Sequence, residues 1–117
     1  MRLIVTKNIS LSFKERLLQQ GYSVVDIPLI EIKPIAFELK EVDQNVIFTS
    51  QNAVRILLQK QQPNQDLLKD KKCFCVGEKV KSLLGKNGQK VVKMAQNASE
   101  LAHFLVKNHK NEQFSFF

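Results

Sequence analysis

The sequence predicts an α/β fold, a mostly parallel sheet with helices on both faces. Short apolar runs of the kind found in buried strands alternate with stretches in which apolar residues recur every three or four positions, as in helices. Glycines and capping residues stand at the junctions between these segments. At 117 residues the chain is also long enough to bury a core without disulfides or metal.

The start of the chain has the pattern of a strand, a helix and a second strand. The run Leu3–Val5 predicts the first strand. Ser12 and Glu15 have the spacing of a capping box, which predicts that a helix begins there. Gly21 stands where a helix end commonly needs positive φ, and the run 24–28 predicts the next strand.

Residues 29–35 alternate apolar and polar side chains next to two prolines, Pro28 and Pro34. Because proline disfavours both a helix and a central strand, this segment is predicted to be an extended connector between two structural units. An edge strand of a single domain is the alternative. The predicted units are therefore residues 1–28 and 36–117, joined by 29–35.

Beyond residue 45 strands and helices are predicted to alternate regularly. Ser50 is a good N-cap, and Asn97 with Glu100 opens another predicted helix. A polar loop is predicted at 61–65. The predicted strands are 46–49, 73–76, 91–92 and 114–117, and the predicted helices follow Ser50, Gly77 and Asn97.

The cysteines and histidines predict no metal site or disulfide. Cys73 and Cys75 are two apart on a strand, so they point to one face, in a geometry that opposes a disulfide, and we predict buried thiols. His103 and His109 are predicted on the surface of a helix. No second pair of ligands at zinc-binding spacing occurs.

Charge is the main asymmetry in composition. Eighteen Lys and Arg against eleven Asp and Glu give a net charge of +7, most of it in the second half of the chain. This balance favours an anionic partner, either nucleic acid or a small polycarboxylate, with a solvated lysine-rich surface as the alternative. No apolar run approaches a membrane span and no signal peptide is evident, so a cytoplasmic location is expected.

Polar residues follow three of the predicted strands, at 6–8, 49–53 and 76–79. In open α/β sheets such junctions bind ligands, because helix N-termini point backbone amides at them. We therefore expect free amides there that suit anionic oxygens, with ordinary helix capping as the alternative. No phosphate-binding glycine pattern and no nucleophile–base arrangement accompanies them.

At these junctions the sequence resembles the uroporphyrinogen-III synthase family. The resemblance is carried by the runs 46–54 and 75–79, with further matches at 3–7, 21–25, 28–32 and 98–102. It implies the HemD-like two-lobe fold: residues 1–28 as the N-terminal part of a first lobe, 29–35 as an interlobe linker, and 36–117 as a flavodoxin-like second lobe. The matched length is about half of a full synthase, so we expect a chain that is cut short, or that pairs with another copy to cover its last phenylalanines.

The resemblance also implies a reaction. Family members cyclise hydroxymethylbilane, a linear tetrapyrrole with many carboxylates, inverting the last ring and losing water, with no metal or cofactor. A membrane or nucleic acid partner is not implied. The substrate-binding candidates carried over by residue match are Thr49, Ser50, Gln51, Asn52, Gly77, Glu78 and Lys79, with Lys7 as a weaker one.

Two departures from the family pattern bear on activity. Val80 stands where the family often has threonine, and a valine facing the core is the simpler interpretation. The tyrosine discussed as a proton donor in the family comes from its second half, and Tyr22 does not match it. We therefore assign no catalytic residue and predict that this 117-residue chain is inactive alone.

Other functions and states stay open at this point. A non-enzymatic basic α/β module for nucleic acid or an acidic partner is the second hypothesis, based on the lysines between residues 69 and 93. A flavin or receiver domain is a third, weakened by the missing phosphate loop. Full-length family members are expected to be monomers, with self-association of this piece as an alternative.

Overall fold

The chain folds as two structural units, Met1–Lys33 and Pro34–Phe117, in a computed structural model. It describes residues 1–35, 37–58 and 65–117. The predicted polar loop at 61–65, apart from the backbone of Gln65, lies outside these residues. Within them, no helix combines the length and apolar character needed to cross a bilayer.

The smaller unit is a parallel pair of strands joined by one helix. Its elements are β1 (Arg2–Val5), α1 (Leu11–Gln19) and β2 (Ser23–Asp26). The capping box predicted at Ser12 is wrong: Ser10 is the N-cap, and its hydroxyl accepts a hydrogen bond from the Phe13 N–H at 3.2 Å. Ser12 lies inside the first turn, where its hydroxyl is 3.3 Å from that of Ser10. Gly21 adopts φ +84° directly after the helix, as predicted.

The smaller unit contains no buried residue among those described. Even Ile4, in the middle of β1, is 67% exposed. A two-stranded sheet with a single helix buries too little apolar surface to be more than marginally stable by itself. An ion pair between Lys14 and Asp26, 3.0 Å apart, joins the helix to β2 and lowers the pKa of that carboxyl.

The segment after β2 has little regular structure. Hydrogen bonds from the Ile27 and Leu29 amides to the carbonyls of Val5 and Thr6 carry the backbone past the end of β1. Residues 29–35 then belong to no helix or strand, so the edge-strand alternative is not observed.

The larger unit alternates strands and helices around one parallel sheet. Its elements are β3 (Asn45–Phe48), α2 (Gln51–Leu57), a 3₁₀ turn (Gln65–Leu68), β4 (Lys72–Val76), α3 (Glu78–Lys86), β5 (Lys90–Ala95), α4 (Ala98–Asn108) and β6 (Phe114–Phe116). The strand order is β5-β4-β3-β6, and every neighbouring pair is parallel. The predicted fold class is confirmed.

Alternation along β4 places helices on both faces of this sheet. Cys73 and Cys75 point to one face and pack in a core with Val54 of α2 and Leu84 of α3. Phe74 points to the other face and packs against α4. Both cysteines are free and buried, as predicted, and burial raises the pKa of Cys73 to about 11, so these thiols are poor nucleophiles.

The predicted helix starts in this unit are confirmed. The Ser50 hydroxyl accepts from the Asn52 N–H at 3.2 Å at the start of α2. At the start of α4, the Asn97 side chain accepts from the Glu100 N–H at 2.9 Å. The Glu100 carboxylate in turn accepts from the N–H of Gln96, the residue before the N-cap, at 3.2 Å.

His109 is not the surface histidine that was predicted, although His103 is exposed. It follows the last turn of α4, and its ring lies 5.1 Å from that of Phe74 and 6.2 Å from that of Phe114. Its Nδ1 contacts the Glu112 carboxylate, whose other oxygen accepts from the Asn45 side-chain amide at 3.1 Å. The prediction from helical spacing is wrong for His109 because α4 ends at Asn108, so His109 is not on the helix.

The contact between His109 and Glu112 makes the free energy of unfolding depend on pH. The pKa of Glu112 is lowered, chiefly by the hydrogen bond with His109 and further by that with Asn45, against an opposing effect of burial. A carboxyl with a lower pKa in the folded state favours folding above its unfolded pKa, and this contribution is lost as pH falls through the folded value. We expect Glu112→Gln to be less stable than wild type at pH 7, with the difference shrinking below about pH 4.5. Urea unfolding midpoints across this range measure it, and a difference independent of pH would contradict it.

Candidate functional site

Two of the predicted junctions lie side by side at one edge of the larger sheet. β3 and β4 are adjacent and parallel, with Phe48 opposite Cys75. The residues that follow, 49–52 and 77–79, therefore meet at the carboxyl edge of the sheet. This is where open α/β sheets bind ligands.

The first junction presents side-chain oxygens and uses part of its backbone internally. Thr49 is exposed and Ser50 is half-buried. Capping by Ser50 occupies the Asn52 amide, and Gln51 Oε1 accepts from Arg55 at 3.2 Å. The amide of Asn52 is therefore not free, contrary to the prediction, whereas the Ser50 hydroxyl proton can still be donated.

The second junction is the more open of the two. Gly77 precedes α3 with φ +93° and ψ 147°, and no side chain caps the helix. The Gly77 N–H donates to the Ala95 carbonyl at 2.9 Å, so this predicted donor is also occupied. Among the described residues, the amides of Glu78, Lys79 and Val80 have no acceptor. These three carry the positive end of the α3 dipole.

Charge around the second junction is mixed. Lys79 and Glu78 are both exposed in the first turn of α3. Burial raises the pKa of Cys75 below them, while Lys81 lowers it and Glu78 raises it. The side chain of Val80 is buried in the core, which agrees with its interpretation as a core residue.

A third junction shares this edge and was not among the predicted site residues. β5 neighbours β4, so Gln96 and Asn97 also lie at the carboxyl edge. The Gln96 N–H donates to the Glu100 carboxylate, and the Asn97 side chain accepts from the Glu100 N–H. The strand order that brings them here was not deducible from capping signals alone.

The hollow at the carboxyl edge of the larger sheet is small. The hollow that borders Thr49 has a volume of about 120 Å³ and is lined mainly by apolar residues, among them Val76 and Leu101. Ligand pockets usually enclose about 300–1,000 Å³. A large ligand would therefore be held along an open edge.

The structure brings together seven of the eight predicted site residues. They are Thr49, Ser50, Gln51, Asn52, Gly77, Glu78 and Lys79. Lys7 lies in the smaller unit, exposed and two residues beyond the end of β1.

A parallel sheet between two helical layers, with polar junctions at its carboxyl edge, defines the class of open-sheet α/β proteins. A family model described as uroporphyrinogen-III synthase HemD matches residues 12–117, and the chain belongs to this family. Comparison with the curated proteins gives no match. Comparison with the solved structures gives none either.

Proposed function

We propose that this chain provides part of the substrate site of a uroporphyrinogen-III synthase. Family membership supports a role in tetrapyrrole synthesis. The proposed reaction, a hydro-lyase reaction, is cyclisation of hydroxymethylbilane with inversion of the last ring and loss of water. The observation that carries the proposal is the adjacency of the two junctions at the carboxyl edge. A cytoplasmic location is part of the proposal.

The open amides suit the substrate's carboxylates. The N–H groups of Glu78 and Lys79 lie at the start of α3 without internal acceptors, and each can donate to a carboxylate oxygen. The hydroxyls of Thr49 and Ser50 add donors across the edge. The Lys79 ammonium attracts a polyanion, although Glu78 offsets part of this field.

The chain's contribution to catalysis is positioning. A flexible tetrapyrrole must be folded so that its ends meet, and several carboxylate contacts along one edge restrict its conformations. No side chain of this edge needs to form a covalent bond with substrate, and the buried cysteine thiols stay protonated. Lys7 remains a candidate from the smaller unit.

We further propose that this chain alone does not turn over substrate. The shallow hollow at the edge and the smaller unit's lack of buried residues leave too few fixed contacts to hold the reactive geometry. With freshly generated hydroxymethylbilane, the product is expected to be the type I isomer formed spontaneously. Production of the type III isomer above background would contradict this.

Binding can be tested separately from turnover. The probe is uroporphyrin III, a stable polycarboxylate tetrapyrrole, titrated into the protein by fluorescence. Lys79→Glu is expected to weaken binding by about tenfold, because it reverses a charge beside the open amides. Lys86→Glu is the matched control: it makes the same charge change at the other end of α3, which lies at the opposite edge of the sheet.

The Lys86→Glu control distinguishes a local contact at Lys79 from a general attraction of the tetrapyrrole to the positive net charge. Equal weakening by the two variants would indicate attraction to net charge only and would contradict the site. Absence of binding by the wild-type protein would contradict it as well. Circular dichroism of both variants checks that the fold is retained.

The basic-module hypothesis is favoured by one observation. Lys72 and Lys90 stand opposite each other on neighbouring strands at the amino edge, where two like charges favour an added anion, although Glu112 already offsets part of the charge of Lys72. If this chain binds nucleic acid, Lys90→Glu should weaken duplex binding more than Lys79→Glu does, and binding should fall steeply with salt.

A further inference from the structure

The end of α3 carries the chain's one Asn-Gly pair, Asn87 followed by Gly88. An asparagine before a glycine is prone to deamidation, because the next backbone nitrogen attacks the side-chain amide and glycine has no side chain to obstruct it. Both residues are exposed, so water reaches them. Sequence and exposure taken alone therefore predict a labile pair.

The conformation of this pair opposes the attack. Asn87 is the C-cap of α3, and Gly88 follows it with φ +74°. The Gly88 N–H donates to the Gly85 carbonyl at 3.0 Å, and the Gln89 N–H donates to the Leu84 carbonyl at 3.0 Å. These two bonds form a Schellman motif, which directs the attacking nitrogen back along the helix.

The side chain that would be attacked is held as well. The Asn87 side-chain amide donates to the Leu83 carbonyl at 2.8 Å, on the preceding turn of α3. Ring closure requires the Gly88 nitrogen to give up its proton and approach the side-chain carbon of Asn87. Its hydrogen bond to Gly85 must break for this to happen. The pair can therefore react only when the last turn of α3 opens.

We propose that Asn87 is a modification site that the Schellman motif protects, and that it is deamidated when the end of α3 frays. In the reaction the Gly88 nitrogen loses its proton and bonds to Cγ of Asn87. The Cγ–Nδ2 bond breaks, and Nδ2 leaves with that proton as ammonia. Water then opens the succinimide ring: cleavage at Cγ leaves aspartate, and cleavage at the main-chain carbonyl leaves isoaspartate.

Both products disfavour the closed turn. A carboxylate at this position lies at the negative end of the α3 dipole. Asn87 also borders a hollow of about 350 Å³ that is lined by Asp66 and Asp70, with Lys69 offsetting part of their charge. Isoaspartate adds a carbon to the main chain between α3 and β5, so the Schellman bonds cannot form again in the same geometry. Deamidation therefore stabilises the open turn relative to the closed one.

The experiment follows deamidation by peptide mass spectrometry, with chromatographic separation of the aspartate and isoaspartate peptides. The purified chain is incubated in mildly alkaline buffer at a temperature below its unfolding transition. Deamidation of Asn87 is expected to be at least about tenfold slower in the folded protein than in the same protein unfolded in urea, because the folded chain reacts only through local opening.

Two variants change the last turn of α3 and leave the reacting pair intact. Lys86→Gly weakens this turn and is expected to speed deamidation of the folded protein by about threefold. Gly85→Ala strengthens the turn and is expected to slow deamidation. Lys107→Gly is the matched control, because it makes the same change in the last turn of α4. It should alter the rate at Asn87 by no more than about twofold.

Each result bears on the proposal. Equal rates in the folded and unfolded chain would overturn the protection, and so would a lack of acceleration by Lys86→Gly. Equal acceleration by Lys86→Gly and Lys107→Gly would place the reaction in globally unfolded molecules and contradict local fraying. Asn97, which alanine follows, is the internal reference: in urea it should react more slowly than Asn87. Circular dichroism verifies that each variant is folded.

Discussion

The Phe74→Ala variant is expected to lose about 3–5 kcal/mol of folding free energy, the range found for deleting a buried phenylalanine ring. Phe74 lies at the centre of the sheet and is 0% exposed. Its ring meets those of Phe114 at 5.4 Å and His109 at 5.1 Å. The free energy of unfolding of a small domain is only about 5–15 kcal/mol in total. The variant should therefore be largely unfolded at moderate urea concentration or temperature.

Urea unfolding followed by circular dichroism measures this loss. Phe116→Ala is the matched control, because it removes the same ring from an exposed position in the same sheet. It should cost no more than about 0.5 kcal/mol, because the Phe116 ring is exposed. Similar losses in the two variants would contradict the burial of Phe74.

The second large effect is expected at the start of α3. Gly77→Ala should cost about 1–3 kcal/mol, because φ +93° with ψ 147° is close to a region that only glycine occupies readily. No atom lies within 4 Å of an added Cβ, so the cost is backbone strain and not a clash. Relief of the strain would move the amides of Glu78 and Lys79, so tetrapyrrole binding should weaken along with stability.

Gly85→Ala makes the same change within the same helix and should have the opposite sign. Gly85 is the second-to-last residue of α3 and has no positive φ, and a Cβ there meets no atom within 4 Å. Alanine is better than glycine in a helix interior by about 0.5–1 kcal/mol, so in the last turn this variant should be more stable than wild type by at most about that amount. Thermal unfolding of the two variants measures the shift in melting temperature. A shift of the same sign in both variants would contradict this account.

Much of the local structure was predictable because it depends on neighbours in sequence. The Ser50 cap and the pair Asn97 and Glu100 each satisfy amides within one helical turn. The shared face of Cys73 and Cys75 follows from strand alternation alone. The same reasoning failed at Ser12, because the nearby Ser10 also offers a hydroxyl and the helix begins one residue after it.

The errors at longer range have a common cause. His109 was taken as a surface residue because helical spacing gives no information on where the chain turns after Asn108. Gly77 was taken as a free donor, but its amide is bonded to Ala95 on the next strand. Partners of this kind are brought together by the packing of distant segments.

The sequence by itself determined the α/β class, the helix starts of the larger unit and the polar character of each strand–helix junction, since capping and alternation act over a few residues. Only the tertiary structure decided the strand order β5-β4-β3-β6. That order puts residues 49–52 beside 77–79 at one edge of the sheet. Strand order depends on which apolar surfaces bury one another across the whole unit, and no short stretch of sequence contains that information.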